Sequence, residues 1–249
     1  DSVLVKKSAT IDYNKRLSVQ ISKQSSFESN LIDTPKILST YIFQDLFVTE
    51  MEYINSLKLS NYIHSKPINN ILHIFSILNL YVEKNLKNSS TYVDLKKIQI
   101  KLDQLNQNHI INSTNICDKI KVQLHNMKIP QGYCHGDLTF ENILIKDEKI
   151  YFIDFLDSYI QSPLIDYAKL YQDIYFKWSF RNSKRNTLRN IKLNHINKIN
   201  LNGDWIKEYQ KEIDILYAIN LLRIVPYSTS KQMNLEILIE THKIIDKWK

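Results

Sequence analysis

Cysteine, glycine and proline are scarce in this chain: two, three and five of 249 residues. Cys117 and Cys134 make no disulfide framework and fit a reducing compartment. No apolar run approaches the roughly 18 residues that cross a bilayer, which excludes a helical membrane protein. No secretory leader is visible either, so the chain reads as cytoplasmic and without a membrane partner. It begins at Asp1 rather than Met, and upstream sequence is expected. The scarcity of glycine accompanies an abundance of Ile, Asn and Lys and carries little chemistry of its own. Acid is missing from one region. Residues 181–203 hold Arg181, Lys184, Arg185, Arg189, Lys192 and Lys198 with no Asp or Glu. The net charge of +7 is therefore local, because the rest of the chain is close to neutral.

An apolar content of 43% and a charged content of 24% are those of an ordinary globular protein. The length allows one large or two modest domains, and no internal repeat stands out. The densest chemistry lies in Tyr133-Cys134-His135-Gly136-Asp137-Leu138-Thr139-Phe140-Glu141-Asn142. An apolar run, Ile143 to Ile145, and then Tyr151-Phe152-Ile153-Asp154-Phe155 follow it. Residues 145–150 read as a hairpin turn, which brings Asp154 back beside the loop carrying Asp137 and Asn142. Two carboxylates and an amide oxygen converging on one point suit Mg²⁺, a hard cation that takes oxygen ligands and phosphate partners.

The run H-G-D-L-x-x-x-N at 135–142, with I-D-F at 153–155, resembles the catalytic and metal loops of the aminoglycoside phosphotransferase and choline kinase family, small-molecule relatives of protein kinases. Gly136 stands where a protein kinase has Arg, and Leu156 where it has Gly; both point to the small-molecule branch. Ser162-Pro163-Leu164-Ile165-Asp166-Tyr167-Ala168-Lys169-Leu170 is similar to the family's G-D-P-x-x-D-L-A-x-L. The resemblance implies a protein-kinase-like, two-lobed α+β fold. Residues 1–54 would form a small β-rich N-lobe and 55–249 a large helical C-lobe, with the catalytic loop at 133–142 and the metal loop at 151–157. It also implies an ATP- and Mg²⁺-dependent phosphotransferase acting on a hydroxyl of a small molecule, such as a sugar or an amino alcohol. Asp137 becomes the base that accepts or steers the acceptor's proton, and Asn142 and Asp154 hold Mg²⁺ on the phosphates. His135 supports the loop through hydrogen bonds. Asp166, at the start of a helix, braces it.

The same resemblance assigns the beginning of the chain. Val3-Leu4-Val5-Lys6-Lys7 reads as the strand whose lysine reaches the ATP phosphates; Lys6 fits the register and Lys7 is one position off. Too few residues precede Lys6 for the phosphate-covering hairpin that the family places upstream, so the N-lobe reads as truncated. Tyr13 to Phe27 reads as a helix. Where the family carries a Glu to pair the lysine, this helix offers Gln20 and Gln24, which can hydrogen-bond a Lys without neutralising it. Glu52-Tyr53-Ile54 resembles the hinge whose backbone holds adenine. Apolar stripes then predict helices from Pro67 through Ile71, Ile74, Phe75 and Leu78, over 92–105 and 116–127, and after the metal loop over 163–180, 205–224 and 231–248.

Two readings concern the acceptor. Asp157 lies close enough in sequence to the metal loop to meet it. The basic stretch 181–203 is either a solvated loop or frayed helix, or an electropositive lip that attracts an anionic acceptor through Arg181, Lys184 and Arg185. Such a lip would repel a cationic aminoglycoside. The stretch lacks interleaved aromatics for base stacking, which argues against nucleic acid as a partner. Two alternatives stand beside the kinase reading: a catalytically idle nucleotide-binding scaffold, suggested by the missing hairpin and helix Glu, and a nucleic-acid-binding module built on 181–203.

Overall fold

The computed structural model of the chain describes residues 3–183, 186–200 and 203–248, with backbone only at 199 and 200. Strand β1 (Val3–Lys7) is followed by helix α1 (Asn14–Ser25), whose apolar Leu17 and Ile21 lie four apart and so share a face. Strand β2 (Ile37–Phe43) begins just after Pro35. Strand β3 (Leu46–Glu52) returns antiparallel through a turn in which Gln44 and Asp45 have φ of 49° and 63°, the left-handed pair that suits a tight hairpin. The sheet order is β1-β3-β2, with both pairings antiparallel. Leu17 and Ile21 pack on its Met51, Ile37 and Phe47 as a small core of their own.

The remainder is mostly helical. In chain order it runs β4 (Leu57–Lys58), α2 (Leu59–Ser65), α3 (Ile68–Lys87), β5 (Thr91–Tyr92), α4 (Lys96–Asn106), α5 (His109–Asn112), α6 (Ile116–Gln123) and β6 (Pro130–Gln131). The hairpin β7 (Ile143–Lys146) and β8 (Lys149–Phe152) follows, then α7 (Pro163–Ile174), α8 (Thr187–Asn200), α9 (Asp204–Glu208), α10 (Gln210–Leu222) and α11 (Lys231–Asp246). The α+β expectation holds. Ile71, Ile74, Phe75 and Leu78 are buried on α3, as the stripe requires. Helix α7 starts on Ser162, whose Oγ accepts the Leu164 N–H at 3.3 Å, with Pro163 at the first turn. Every residue of α7 is buried, as are Ile213 to Leu222 of α10, and these two helices pack together at the centre of the body.

The predicted hairpin at 145–150 is present. Its turn residues Asp147 and Glu148 have φ of 48° and 65°. The connection from α1 to β2 is clamped onto it: the Asp33 N–H donates to the Ile150 carbonyl and the Phe152 N–H to the Asp33 carbonyl, each at 2.9 Å. The Phe27 ring lies among Tyr81, Tyr133, Phe152 and Phe155, with centroids 5.3 to 6.1 Å apart. The small sheet is thereby anchored to the helical body directly behind the motif loops.

Several expectations are corrected. Of the two structural readings of the basic stretch, loop or frayed helix, residues 187–200 take the helical one as α8, but part of its charge turns inward rather than to solvent. Lys192 is buried, and its Nζ donates to the carbonyls of Ile63, His64 and Lys66 at 2.9, 3.2 and 2.7 Å, capping the end of α2. Arg189 is buried too, its guanidinium 4.4 Å from the Phe180 ring centroid. Lys184 and Arg185 lie outside the described residues. The helix expected over 205–224 breaks at Tyr209 into α9 and α10, and that expected over 92–105 begins only at Lys96. Among the described residues, no helix is long and apolar enough to cross a membrane.

Candidate active site

The catalytic-loop motif is held from below by two buried carboxylates of α7. Asp166 accepts the backbone N–H groups of His135 and Gly136 at 2.6 and 2.8 Å. Asp173 accepts those of Phe140 and Ser179, both at 2.6 Å. Burial pushes their carboxyls up, to about 7 and about 6, against the pull of these donors. Gly136 has φ of 90°, and a Cβ there would lie 2.0 Å from the Leu156 carbonyl oxygen, so only glycine lets the two motif loops touch. The His135 ring is fully buried against Phe152 and Phe155. Its Nε2 donates to the Ile153 carbonyl at 2.8 Å and its Nδ1 receives the Asp137 N–H at 3.2 Å, which fixes the neutral tautomer. Burial lowers this imidazole to about 4, so it ties the loops together rather than moving protons.

Asp137 is half-buried at the head of the loop. Its Oδ1 is 3.0 Å from Lys169 Nζ, and its Oδ2 accepts Asn142 Nδ2 at 3.2 Å. Burial acts to raise the Asp137 carboxyl, but the charge and hydrogen bond of Lys169, with a smaller push from Arg223, outweigh it and hold the group below the usual carboxylate range. Asn142 Nδ2 also donates to the Asp137 carbonyl at 2.8 Å, which leaves the amide oxygen of Asn142 for a cation. The Ile153 N–H donates to the Asn142 carbonyl at 3.1 Å, tying Asn142 to the residue before Asp154.

Asp154 has φ of 59°, a left-handed conformation that Asp tolerates better than most residues, and its carboxylate pairs with Lys6. The pair is 33% and 51% exposed, so it contributes about 0–1 kcal/mol and yields readily to a stronger partner. Among the described residues, no three His, Cys, Asp or Glu side chains converge as a metal cage. One carboxylate and one amide oxygen fit instead a hard cation that keeps its waters and borrows phosphate oxygens, as Mg²⁺ does.

The other sequence candidates divide. Of the two lysines, Lys6 faces the metal loop, while Lys7 Nζ lies 5.4 Å from the Phe43 ring centroid. Lys7 is thus corrected out of the site, since adjacent strand residues point to opposite faces. Gln24 is corrected as well: it is buried and donates to the Pro35 carbonyl at 2.9 Å. Gln20 makes no hydrogen bond to Lys6, whose partner is Asp154. What α1 contributes is Lys23, which the sequence reading missed. Its Nζ donates to the Leu156 carbonyl at 2.9 Å and to Gln161 Oε1 at 3.1 Å, so α1 grips the metal loop by a cation. Glu52 ends β3, and Tyr53 and Ile54 lead toward β4, so the hinge candidates lie between the two sheets. Asp157 is exposed and accepts Gln161 Nε2 at 2.6 Å; it does not line the cavity beside Asp137.

That cavity measures about 690 Å³ and opens between Asp137, Lys169 and Leu156 on one side and the α10–α11 connection on the other. Arg181 stands at its edge, as the sequence suggested. Lys101, Lys169 and Arg223, which the sequence reading missed, also line it. Lys169 lies in a helical run that also holds Asp166, Gln172 and Asp173, and Arg223 follows Ile213 to Leu222; neither these two nor Lys101 carried a signal that sets them apart from solvated helix residues.

The comparisons with known proteins agree with this geometry. Residues 85–193 match the model of the phosphotransferase enzyme family, called APH. No curated protein matches the chain. Solved structures do. A choline/ethanolamine kinase family protein from Mesorhizobium loti has a TM-score of 0.55 at 13% identity, over 98% of this chain and 83% of that one. An amicoumacin kinase in complex with AMP-PNP, Ca²⁺ and Ami has 0.57 at 12%, over 98% and 81%. A glucosamine kinase has 0.57 at 11%, over 99% and 74%. At such identities the likeness is one of fold. The fold is that of the protein-kinase-like small-molecule kinases, and the central segment carries the phosphotransferase-family pattern. The chain therefore resembles the aminoglycoside phosphotransferase and choline kinase family, and the match over 85–193 supports a phosphotransferase enzyme.

Proposed function

We propose that the chain transfers the γ-phosphoryl group of ATP to a hydroxyl of a small molecule. The observation that carries this reading is the position of Asp137. Its carboxylate lines the cavity, where an acceptor would sit, and bonds to Asn142, on the side of Lys6 and Asp154. Phosphoryl transfer asks mainly for in-line positioning and charge neutralisation. Asp137, ionised beside Lys169, would accept a hydrogen bond from the acceptor hydroxyl and aim its oxygen. Lys6 would leave Asp154 for a phosphate oxygen, releasing that carboxylate toward the metal. Asn142 and Asp154 would hold Mg²⁺, which offsets charge on the β- and γ-oxygens when bound. The amicoumacin kinase, solved with AMP-PNP and Ca²⁺, supports nucleotide and divalent metal as partners in a neighbour of this fold. His135 and Asp166 would hold the loop without entering the reaction.

The test is ADP release from ATP and Mg²⁺ across a panel of small hydroxyl compounds. The expected result is acceptor-dependent ADP formation that falls by at least about 10²-fold in Asp137→Asn. ADP formation unchanged by that substitution would contradict the assignment. Nucleotide binding without any turnover would favour the idle scaffold.

A further inference from the structure

The cavity beside Asp137 is unusual in its charge. Lys101, Lys169, Arg181 and Arg223 line it against a single carboxylate, that of Asp137. Lys169 is engaged by that carboxylate at 3.0 Å. None of the other three closes an ion pair with an acid among the described residues, although Arg223 acts on Asp137 and Arg181 on Glu141 at longer range. Each leans on neutral groups instead. Lys101 Nζ reaches Gln104 Oε1 at 3.4 Å. Arg223 Nη1 donates to Asn220 Oδ1 at 3.3 Å, and its guanidinium lies 5.2 Å from the Tyr159 ring centroid. Arg181 Nη1 donates to the Trp178 carbonyl at 3.0 Å and stacks 4.1 Å from that ring's centroid.

Two further observations concern the same wall. Burial first, and then the charge of Arg223, lowers the Lys101 ammonium from its ordinary value. Asn220 is fully buried and lines the cavity; its oxygen is taken by Arg223, and its Nδ2 has no partner. A buried donor left unpaired is costly. Neither Lys6, Asn142 nor Asp154 lines this cavity, so the cluster lies on the acceptor side of Asp137, away from the groups assigned to nucleotide.

We infer that the acceptor is an anionic hydroxyl compound, a small polyol bearing a carboxylate or a phosphate, whose acid group is bound by Lys101, Arg223 and Asn220 while its hydroxyl meets Asp137. This rests on the kinase reading above and narrows it. Arg181, exposed on the edge, steers such an anion inward. A cationic amino sugar or amino alcohol is disfavoured by the same wall.

A matched series tests this: glucose, gluconate, glucose 6-phosphate and glucosamine at equal ionic strength. Each is read by thermal shift of the whole chain, and by ADP release with ATP and Mg²⁺. Gluconate or glucose 6-phosphate is expected to act at a concentration at least tenfold below glucose, with glucosamine weakest and the preference fading as salt rises. Lys101→Gln with Arg223→Gln should erase the preference and raise KM for the anionic compound tenfold or more, with KM for ATP within twofold. Arg181→Gln, on the exposed edge, should weaken the preference without touching the melting temperature of the free chain. No preference for the anionic members, or a preference for glucosamine, overturns the inference. So does a KM change confined to ATP, which would assign the cluster to the donor. If an anionic compound binds but no ADP forms with any of the four, the kinase reading fails while the anion site stands.

Discussion

Asp137 and Lys169 form the pair on which the proposed chemistry turns. An ammonium at 3.0 Å holds the carboxylate ionised inside a half-buried site, where burial alone would drive its proton affinity up. The sign of its removal follows. In Lys169→Met the main counterweight to burial is gone, so the Asp137 carboxyl rises. The acid limb of kcat/KM against pH should therefore move upward, so that the loss is larger at pH 5 than at pH 8. A uniform loss across pH would mean that Lys169 only props up the loop. The motif residues were legible because order and spacing carry the resemblance: His135, Gly136, Asp137, Asn142 and Asp154 fall in the pattern of the family's catalytic and metal loops. Lys169 and Arg223 were not, because a lysine or arginine in a helix is ordinarily a solvated group. Only the packing shows that these two face inward.

At the scale of elements, α7 is both scaffold and floor. It presents Asp166 and Asp173 to the 135–142 loop and Lys169 to the Asp137 carboxylate, all from one buried helix. Helix α1 shows how a known pattern can be met by other means. The family reading wanted an acidic partner for the strand lysine; here Lys6 pairs with Asp154, and α1 binds the metal loop through Lys23. The sequence could not reveal this, because Gln20, Lys23 and Gln24 all read as polar positions on an amphipathic helix. The inward turn of part of helix α8's charge was missed for a related reason. Its basic residues suggested solvent, yet Lys192 donates to three carbonyls at the end of α2. Lys192→Met should remove charged hydrogen bonds and lower stability by about 2 kcal/mol, several degrees in Tm. A Tm unchanged within a degree would show that this contact contributes nothing.

The whole molecule is a small sheet pinned to a helical body, and its legibility followed the same division. Helix and hairpin positions came from periodicity and turn chemistry. The anchoring of Phe27 and Asp33 on the far side of the motif loops came only from tertiary contacts. Global stability should carry the imprint of the buried titratable groups. Asp166 and Asp173 are raised to about 7 and about 6, so each binds a proton in the folded chain that the unfolded chain releases near pH 4. Their contribution is full at low pH and is lost as pH rises through those values. His135, lowered to about 4, works oppositely: the unfolded chain binds its proton up to pH 6.5, so its contribution is lost as pH falls. Two carboxyls outweigh one imidazole. The melting temperature should decline from pH 5 to pH 8, and a steady rise over that range would contradict the account of the loop's supports.

The central claim is that one site joins Asp137, Asn142, Asp154 and Lys6 into a place for Mg²⁺ and ATP. The most direct measurement is thermal melting of the whole chain with ATP, with Mg²⁺ and with both, beside Asp154→Asn. At about a hundred times the dissociation constant, a bound ligand adds roughly 2.7 kcal/mol. The account expects a shift that needs both components and disappears in the variant. A shift of equal size in Asp154→Asn, or none with both components at millimolar concentration, would contradict it.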